Sequence, residues 1–289
     1  MEVSSKLETI NPGQAKKYLE KVIVNRPVSD GKCLEYAISM DEGKWSVNGE
    51  TIKFDDQGRL FDGQHRLHAC VLAEKPFKTY VIRGVSDEMA FATVDVGRMR
   101  THGDIFHIAG HANQNNASAT GHLIYMLKGG MLTIHGVKQR RFTKDMSSAV
   151  VQKLKTMPVR ASNITKQDLL AFCEPIKNRI TAAVLFADSV KRNRILPTSM
   201  IAACYFLFCE KSEIDAKAFF VDLFEGAGLS STDAVYHLRE RLIANQVASQ
   251  KLTRWMTLAL ILKAWGKRRE GEKTKTLRLS QDEDFPKII

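Results

Sequence analysis

The stretch LFDGQHRLHA, residues 60–69, sets a carboxylate, a glycine, an imidazole and a guanidinium close together. A short apolar run precedes it, and an apolar run with helical spacing follows it. A glycine between a strand and a helix permits a tight turn, and the first N–H groups of the helix then point at that turn. These groups bind anions, with help from the helix dipole. The stretch therefore predicts a phosphate-binding turn made by Gly63, Gln64, His65 and Arg66.

The side chains of this turn each have a chemical role and a structural alternative. Arg66, in the first helical turn, can bind a phosphate through two parallel hydrogen bonds. His65 can donate a hydrogen bond or transfer a proton near neutral pH. Asp62 can hold a metal ion. In the structural alternative, Asp62 caps the helix, His65 packs and Arg66 pairs with a nearby acid.

A second block, TVDVGRMRT at residues 93–101, again sets a carboxylate at a strand end beside a glycine and two arginines. Asp95 is a candidate ligand for a Mg²⁺ ion that bridges phosphates. Arg98 and Arg100 are candidates to hold a phosphate chain or a nucleic-acid backbone, and Thr101 can donate a hydroxyl hydrogen bond. We expect this loop and the Gly63–Arg66 turn to face one cleft. The alternative is an Asp–Arg pairing that joins two loops.

Glu50 and a pair of histidines are further candidates. Glu50 comes just before a predicted strand and is a candidate general acid or base, beside Asp62, His65 and Asp95. His107 and His111 are four residues apart, but no third metal ligand has suitable spacing, so we expect surface or packing histidines. The chain contains none of the patterns GxxxxGK[ST], HExxH, GxGxxG or GxSxG.

The composition is that of a globular protein with an ordinary core, since apolar residues make up 44% of the 289 positions. No apolar run approaches the ~20 residues of a membrane-spanning helix. The first residues, MEVSSKLETINPG, lack the apolar segment of a signal peptide. The five cysteines are scattered, with no CxxC spacing, which favours a reducing compartment. We therefore expect a cytoplasmic protein without a membrane partner.

Positive charge is concentrated near the C-terminus. The net charge is +11, and residues 251–278 hold nine lysines and arginines against two glutamates. Clustered positive charge favours a polyanion partner, most simply DNA or RNA, and an exposed aromatic side chain within it would stack on bases. The predicted nucleic-acid contacts are Lys263, Trp265, Lys267, Arg268, Arg269, Lys273, Lys275 and Arg278. The alternative is a solvated helix end followed by a loose, solubilising tail.

The spacing of apolar residues predicts an α+β fold with two modules. The first part of the chain mixes helices, a hairpin at 52–61, a helix over 64–74, a buried strand at 79–82, and a helix and strand within 87–94. The later part predicts helices over 117–127, 146–156, 166–191, 198–211, 215–225, 231–247 and 252–269. We expect a mixed α/β module at 1–112, a helical module at 113–270 and a charged tail at 271–289.

The block Gly58–Leu67 resembles the DGQHR-type branch of the ParB/sulfiredoxin superfamily. At this turn ParB proteins carry Gly-Glu-Arg-Arg and sulfiredoxins carry Gly-Cys-His-Arg, and the turn holds the phosphates of CTP or ATP. Gln64 stands where sulfiredoxins have cysteine, which argues against sulfinic-acid repair, and the ParB glutamate is also absent. Three further segments resemble uncharacterised phage and bacterial ParB-like proteins: Asn25-Arg26-Pro27, Gly43-Lys44-Trp45 and Gly49-Glu50.

The resemblance implies a ParB/sulfiredoxin-like module that binds ATP or CTP, and we expect Mg²⁺ with the nucleotide. Our first hypothesis is a DNA-associated enzyme of Mg²⁺-dependent phosphoryl chemistry: NTP hydrolysis, phosphotransfer to an acceptor such as a modified DNA base, or DNA cleavage. In this hypothesis Arg66, Arg98 and Arg100 stabilise phosphate charge, while Asp62 and Asp95 hold the metal ion or act as base.

Two further hypotheses use the same fold. The second is a DNA-binding regulator that has no enzymatic activity and uses the same cleft as a ligand sensor. The third is a phage counter-defence factor that binds another protein. The expected partners are DNA and a nucleoside triphosphate, with a homodimer as an open alternative, and the expected location is the cytoplasm, that of the host if a phage encodes the chain.

Overall fold

The computed structural model describes residues 2–22, 27–85, 100–137, 164–191, 195–280 and 283–289. The chain divides into two compact units: one holds residues 1–98 and 139–159, and the other holds residues 99–138 and 160–289. The helix that begins at His102 packs within the helical unit.

The N-terminal unit is built on a four-stranded mixed sheet in the order β1-β4-β2-β3. The strands are β1 Ser4–Ile10, β2 Thr51–Asp55, β3 Leu60–Asp62 and β4 Phe77–Val85. Strand β4 pairs antiparallel with β1 and parallel with β2, and β2 forms the predicted hairpin with β3. The hairpin register shifts after Lys53, which lies opposite Asp62.

Three helices of this unit pack with the sheet: α1 Pro12–Leu19, α2 Asp30–Asp41 and α3 Gln64–Ala73. Helix α3 contacts both α1 and α2, and the shared core includes the fully buried Ile52, Leu67 and Val81. The side chain of Asn11 caps α1 by accepting from the N–H of Gln14. One glycine separates the end of β3 from the start of α3, which is the strand–turn–helix arrangement that the sequence predicted.

Strand β1 was not expected from the sequence. Of its seven residues only Ile10 is buried, so the strand lacks the apolar alternation that marks a half-buried strand. It forms at the edge of the sheet because the backbone of β4 offers it a continuous antiparallel ladder from Ser4–Arg83 to Ile10–Phe77. An edge strand of this kind is specified by its neighbour more than by its own side chains.

The second unit is helical. Its helices are α4 His102–Ile108, α5 Gln114–Lys128, α6 Lys166–Cys173, α7 Lys177–Val190, α8 Thr198–Cys209, α9 Glu213–Glu225, α10 Ala234–Val247 and α11 Arg254–Arg269, with a short hairpin of β5 Leu132–Thr133 and β6 Gly136–Val137. Helix α8, TSMIAACYFLFC, is apolar on every side, and α5, α7, α9 and α11 pack against it. It is the central helix of the unit.

Two details of the helical unit differ from the expectation. The predicted helix over 166–191 is interrupted by a 3₁₀ turn at Glu174–Ile176, where Pro175 removes a backbone donor. The described part of residues 271–289 is not a loose tail: Leu277 is buried, and Leu279, Phe285 and Ile288 pack against the helical core. Apolar residues spaced among the charges therefore fold this segment back onto the unit.

The α+β fold class is confirmed, with a small mixed sheet in the N-terminal part and a helical C-terminal part. The predicted elements at 87–94 and 146–156 lie outside the described residues. The five cysteines are free thiols, as their scattered positions suggested. In the portions of the chain that the structure describes, every helix is too short or too polar to cross a membrane.

Candidate functional site

The turn before α3 depends on Gly63. Its φ is +104°, a left-handed conformation that side chains with a Cβ rarely adopt. A Cβ at this position would also lie 2.4 Å from Cδ1 and 3.2 Å from Cα of Ile52. Gly63 therefore lets the end of β3 approach β2 closely and still start a helix. Its carbonyl accepts from the N–H groups of Arg66 and Leu67, which closes the first turn.

Arg66 is the only arginine of the turn and lies almost entirely inside the unit, with a side chain 7% exposed. Its Nη1 donates to Glu50 Oε2 at 2.9 Å, and its Nη2 lies 3.4 Å from Asp62 Oδ1. The two partners differ sharply, because the side chain of Asp62 is 8% exposed and that of Glu50 is 61% exposed. Arg66 thus has an inner carboxylate that is buried and an outer carboxylate in solvent.

Asp62 is held between two cations. Its Oδ2 lies 2.5 Å from Nζ of Lys53, and its Oδ1 faces Arg66. A buried carboxylate needs such partners, because removal from water without them is costly. Asp62 does not cap α3, since the N-cap residue is Gly63 and no side chain caps the helix. The predicted pairing of Arg66 with a nearby acid is therefore observed, and the predicted helix cap by Asp62 is wrong.

His65 is buried and links the turn to α2. Its Nε2 accepts from the backbone N–H of Ser29 at 3.0 Å, and Ser29 is the N-cap residue of α2. A ring nitrogen that accepts carries no proton, so neutral His65 is protonated on Nδ1. Proton transfer through Nε2 would require the loss of this contact. Gln64, also buried, completes the first turn of α3.

The second predicted block is only partly described. Asp95 and Arg98 lie outside the described residues. Arg100 is exposed, and Thr101 is the N-cap of α4. The Thr101 hydroxyl donates to Asp104 Oδ2 at 2.9 Å and accepts from the Asp104 N–H at 3.2 Å. Its hydroxyl therefore serves the capping box instead of the predicted phosphate contact.

The expectation of an exposed aromatic in the basic run is wrong. Trp265 is 1% exposed and stacks on Phe208 with ring centroids 4.1 Å apart. Its Nε1 donates to the carbonyl of Ile289 at 2.9 Å. Trp265 lies on the face of α11 that packs against α8 and α9, so the indole belongs to the core and does not reach a nucleic-acid base.

Four cations of the basic run are already paired within the helical unit. Lys263 contacts Glu283 at 2.7 Å, Arg268 contacts Asp222 at 2.5 Å, Arg269 contacts Asp215 at 2.5 Å, and Lys267 contacts Glu272. These contacts join α11 to α9 and to the segment that follows α11. Most of the positive charge expected to face a polyanion therefore faces the acids of its own unit.

Lys273, Lys275 and Arg278 differ from the other predicted contacts. They are exposed, and none of them forms an ion pair with a described residue. They lie on the segment after α11, which the buried Leu277 anchors to the unit. Of the eight predicted nucleic-acid residues, these three keep a charge that a phosphate can reach.

Within the described residues, no group of three or more His, Cys, Asp or Glu side chains is arranged to hold a metal ion. Asp62 has cations at both oxygens, and its predicted partner Asp95 is not described. A Mg²⁺ site on this pair stays a prediction. His111, one of the paired histidines, is buried with Nε2 3.3 Å from Glu174 Oε2, while His107 is exposed.

Sequence reasoning did not identify Lys53 or Ser29. The pairing of Lys53 with Asp62 depends on the register of the hairpin, which shifts next to Lys53. The contact of Ser29 with His65 joins residues 36 positions apart. Ser29 does have a readable signal, since serine before an Asp-Gly-Lys segment is a typical helix N-cap, but nothing in the sequence indicates that its N–H meets an imidazole.

Comparisons with protein-family models, with curated proteins and with solved structures gave no match.

Proposed function

We propose that the N-terminal unit binds the phosphate group of a nucleotide at Arg66 and that the chain is a DNA-associated regulator with this site as its ligand sensor. One observation carries the proposal: Arg66 is a buried guanidinium whose outer partner, Glu50, is 61% exposed. The inner carboxylate of Asp62 fixes the position of the guanidinium from behind. A phosphate that takes the place of Glu50 meets a charged donor group held ready for two parallel hydrogen bonds.

The rest of the turn supports binding of an anion. The Gly63 conformation brings the start of α3 close to β2, so the positive end of the helix dipole lies beside Arg66. Lys53 adds a second positive charge next to Asp62. Once Glu50 has left, the charges of Lys53, Asp62 and Arg66 sum to a net positive site. The resemblance to ParB/sulfiredoxin proteins makes ATP and CTP the first candidates, with Mg²⁺ as the ion that accompanies a polyphosphate.

The contacts of the turn favour binding over turnover. Two of the four groups proposed as acid or base, Asp62 and His65, are buried and engaged in contacts that hold β3, α3 and α2 together. A general base must reach the proton that it removes. Phosphoryl chemistry at this site would depend on the other two candidates, Glu50 and Asp95, together with Arg98, and stays a prediction for those residues.

The DNA contact falls, in this proposal, on Lys273, Lys275 and Arg278. These three side chains are exposed and lie on a segment that is anchored to the unit. The chain as a whole has a net charge of +11. Each phosphate that a cation neutralises releases counter-ions and makes affinity depend on salt. Without an exposed aromatic in the run, we expect binding through the backbone, with little preference among bases.

The nucleotide half is tested by calorimetry. ATP, CTP, GTP and UTP with Mg²⁺ are titrated into the wild type, into Arg66→Gln and into Arg59→Gln, a control that removes an arginine paired with Asp55 in the same unit. We expect one nucleotide to bind the wild type and the control alike, with affinity at least about tenfold weaker for Arg66→Gln. Equal affinity of all three proteins, or no binding to the wild type, would reject the proposal. Urea unfolding of each variant confirms that it is folded.

A further inference from the structure

The ion pair between Arg66 and Glu50 is asymmetric in burial and in anchoring. Nη1 of Arg66 and Oε2 of Glu50 are 2.9 Å apart, but the side chain of Arg66 is 7% exposed and that of Glu50 is 61% exposed. Arg66 has a second, buried partner in Asp62. The guanidinium therefore stays in place if Glu50 leaves, whereas the Glu50 carboxylate gains full hydration when it turns into solvent.

The backbone of Glu50 is fixed on both sides of the residue. Its carbonyl accepts from the hydroxyl of the buried Thr79 at 2.8 Å, and its N–H donates to Asn48 Oδ1 at 3.1 Å. Gly49, the residue before it, has a φ of +82°, and nothing lies within 4 Å of a Cβ added there. Opening the pair thus needs only rotation of the Glu50 side chain, with no movement of β2.

We propose that Glu50 is an internal competitor for the anion that Arg66 binds, and that its carboxylate covers the guanidinium until a phosphate displaces it. This inference rests on the proposed phosphate site. Both groups bring negative charge to the outer side of one guanidinium and repel each other there, so a phosphate binds Arg66 more weakly while Glu50 holds Nη1. Glu50 therefore sets the affinity threshold of the site, and its predicted role as a general acid or base is replaced by that of a displaceable counter-ion.

The competition also predicts which anions win. An ion pair whose carboxylate lies in solvent is weak on that side, because water solvates the free carboxylate well. An anion with more negative charge than one carboxylate displaces Glu50 from Arg66. Acetate carries the same charge as Glu50 and therefore does not displace it. Polyphosphates and phosphate monoesters therefore bind, and simple carboxylates are excluded by the residue that they would imitate.

The test compares Glu50→Gln and Glu50→Asp with the wild type by titration with ATP and with inorganic phosphate. Glu50→Gln removes the charge, and Glu50→Asp keeps the charge but shortens the side chain so that it no longer reaches Arg66. We expect both variants to bind about twofold to fivefold more tightly, the change that corresponds to loss of an ion pair whose carboxylate lies in solvent. The control is Glu35→Gln, which removes an exposed carboxylate paired with Lys32 in the same unit and should leave affinity unchanged.

The outcomes separate this inference from the proposed function. If Arg66→Gln abolishes binding while both Glu50 variants bind like the wild type, the phosphate site stands and the competitor role is rejected. If the Glu50 variants bind more weakly, Glu50 assists the ligand and the inference is also rejected. If neither the wild type nor any Glu50 variant binds ATP or phosphate, the phosphate site itself is rejected, and this inference with it. If the Glu35→Gln control also binds more tightly, the gain in affinity comes from the net charge of the protein, and the inference is rejected.

Discussion

Gly63 shows at the scale of one residue how the site depends on backbone geometry. Its φ of +104° and the 2.4 Å approach of an added Cβ to Cδ1 of Ile52 together leave no room for another residue. The turn therefore fixes the distance between β2, which carries Lys53, and α3, which carries Arg66. The side chains of the candidate site, Lys53 and Arg66, are therefore held in place by a residue that has no side chain of its own.

We predict that Gly63→Ala destabilises the protein by about 2–4 kcal/mol, since left-handed strain and a clash with a core side chain add. The matched control is Gly58→Ala. Gly58 also has a positive φ, +75°, but nothing lies within 4 Å of the added Cβ. The Gly58→Ala variant should lose only about 1–2 kcal/mol of stability, from backbone strain alone. Urea unfolding measures both, and equal losses would show that the contact with Ile52 does not constrain the turn.

His111 links two elements of the helical unit and makes that link depend on pH. It follows α4 and reaches Glu174, at the start of the 3₁₀ turn, while Lys177 donates to the carbonyl of Ala109 at 2.6 Å. Burial lowers the pKa of His111 below its ordinary value of 6.5, although the hydrogen bond to Glu174 opposes the shift. Lys177 nearby also disfavours the charged imidazole.

The sign of the resulting pH dependence follows from the lowered pKa. The unfolded chain takes up a proton at His111 at a higher pH than the folded chain does, so stability is fully present above pH 6.5 and is lost as the pH falls through the folded pKa. We predict that the urea midpoint of the wild type falls between pH 7.5 and pH 5.5 more than that of His111→Gln. The same fall in both proteins would mean that other groups cause the acid sensitivity.

Trp265 is the main side chain that fixes α11 to the centre of the helical unit. It stacks on Phe208, meets Phe219 edge-on with centroids 5.7 Å apart, and bonds to the carbonyl of Ile289. We predict that Trp265→Ala costs about 3–5 kcal/mol of stability, as for other large buried aromatics. Trp265→Phe keeps most of the ring contact and should cost less. A stable Trp265→Ala variant with weakened DNA binding would restore the stacking role that the structure argues against.

The elements that the sequence predicted well are those with a strong apolar period or a clear turn residue. The hairpin before Gly63, the helix over 64–74 and the buried α8 are of this kind. Strand β1 and helix α4 were missed, the first because only Ile10 of it is buried, the second although Thr101 and Asp104 form a capping box in the sequence. The seven residues of α4 are too few to show a clear apolar period.

The sequence named the residues of the candidate turn and, as one alternative, the pairing of Arg66 with an acid, but it did not identify the acids. The sequence pointed to Asp62, Gly63, His65 and Arg66 because their types and order are unusual. It could not show that Glu50 would reach Arg66 from the end of a loop, since the two are 16 positions apart. The prediction that Trp265 is exposed was wrong for a different reason. The charged neighbours of Trp265 in the sequence do not show which face of α11 is buried.

The net charge of the whole molecule overstates the positive charge that an anionic partner could reach. The net charge is +11, but four cations of the basic run are in ion pairs with acids of the same unit. We predict weaker DNA binding for a triple variant that combines Lys273→Gln, Lys275→Gln and Arg278→Gln. The slope of log affinity against log salt concentration should flatten by about 0.9 for each lost phosphate contact.

The matched control for this triple variant removes three exposed lysines of the N-terminal unit, Lys16, Lys17 and Lys21, and so changes the net charge equally. Filter binding or fluorescence anisotropy over a range of salt concentrations gives both slopes. If the control flattens the slope as much as the C-terminal variant does, the DNA contact is diffuse electrostatic attraction and the segment after α11 has no special part in it.

Binding of a phosphate at Arg66 can be followed by NMR on the side-chain Nε–H signal of this arginine during titration with ATP. Arg66→Lys identifies the signal by its disappearance, and the exposed Arg59 serves as an internal reference. We predict that the Arg66 signal shifts and saturates as Glu50 is displaced, while the Arg59 signal does not move. An unchanged Arg66 signal, or parallel, non-saturating shifts of both arginines, would contradict it and leave the Lys53–Asp62–Arg66–Glu50 cluster as a structural feature of the unit.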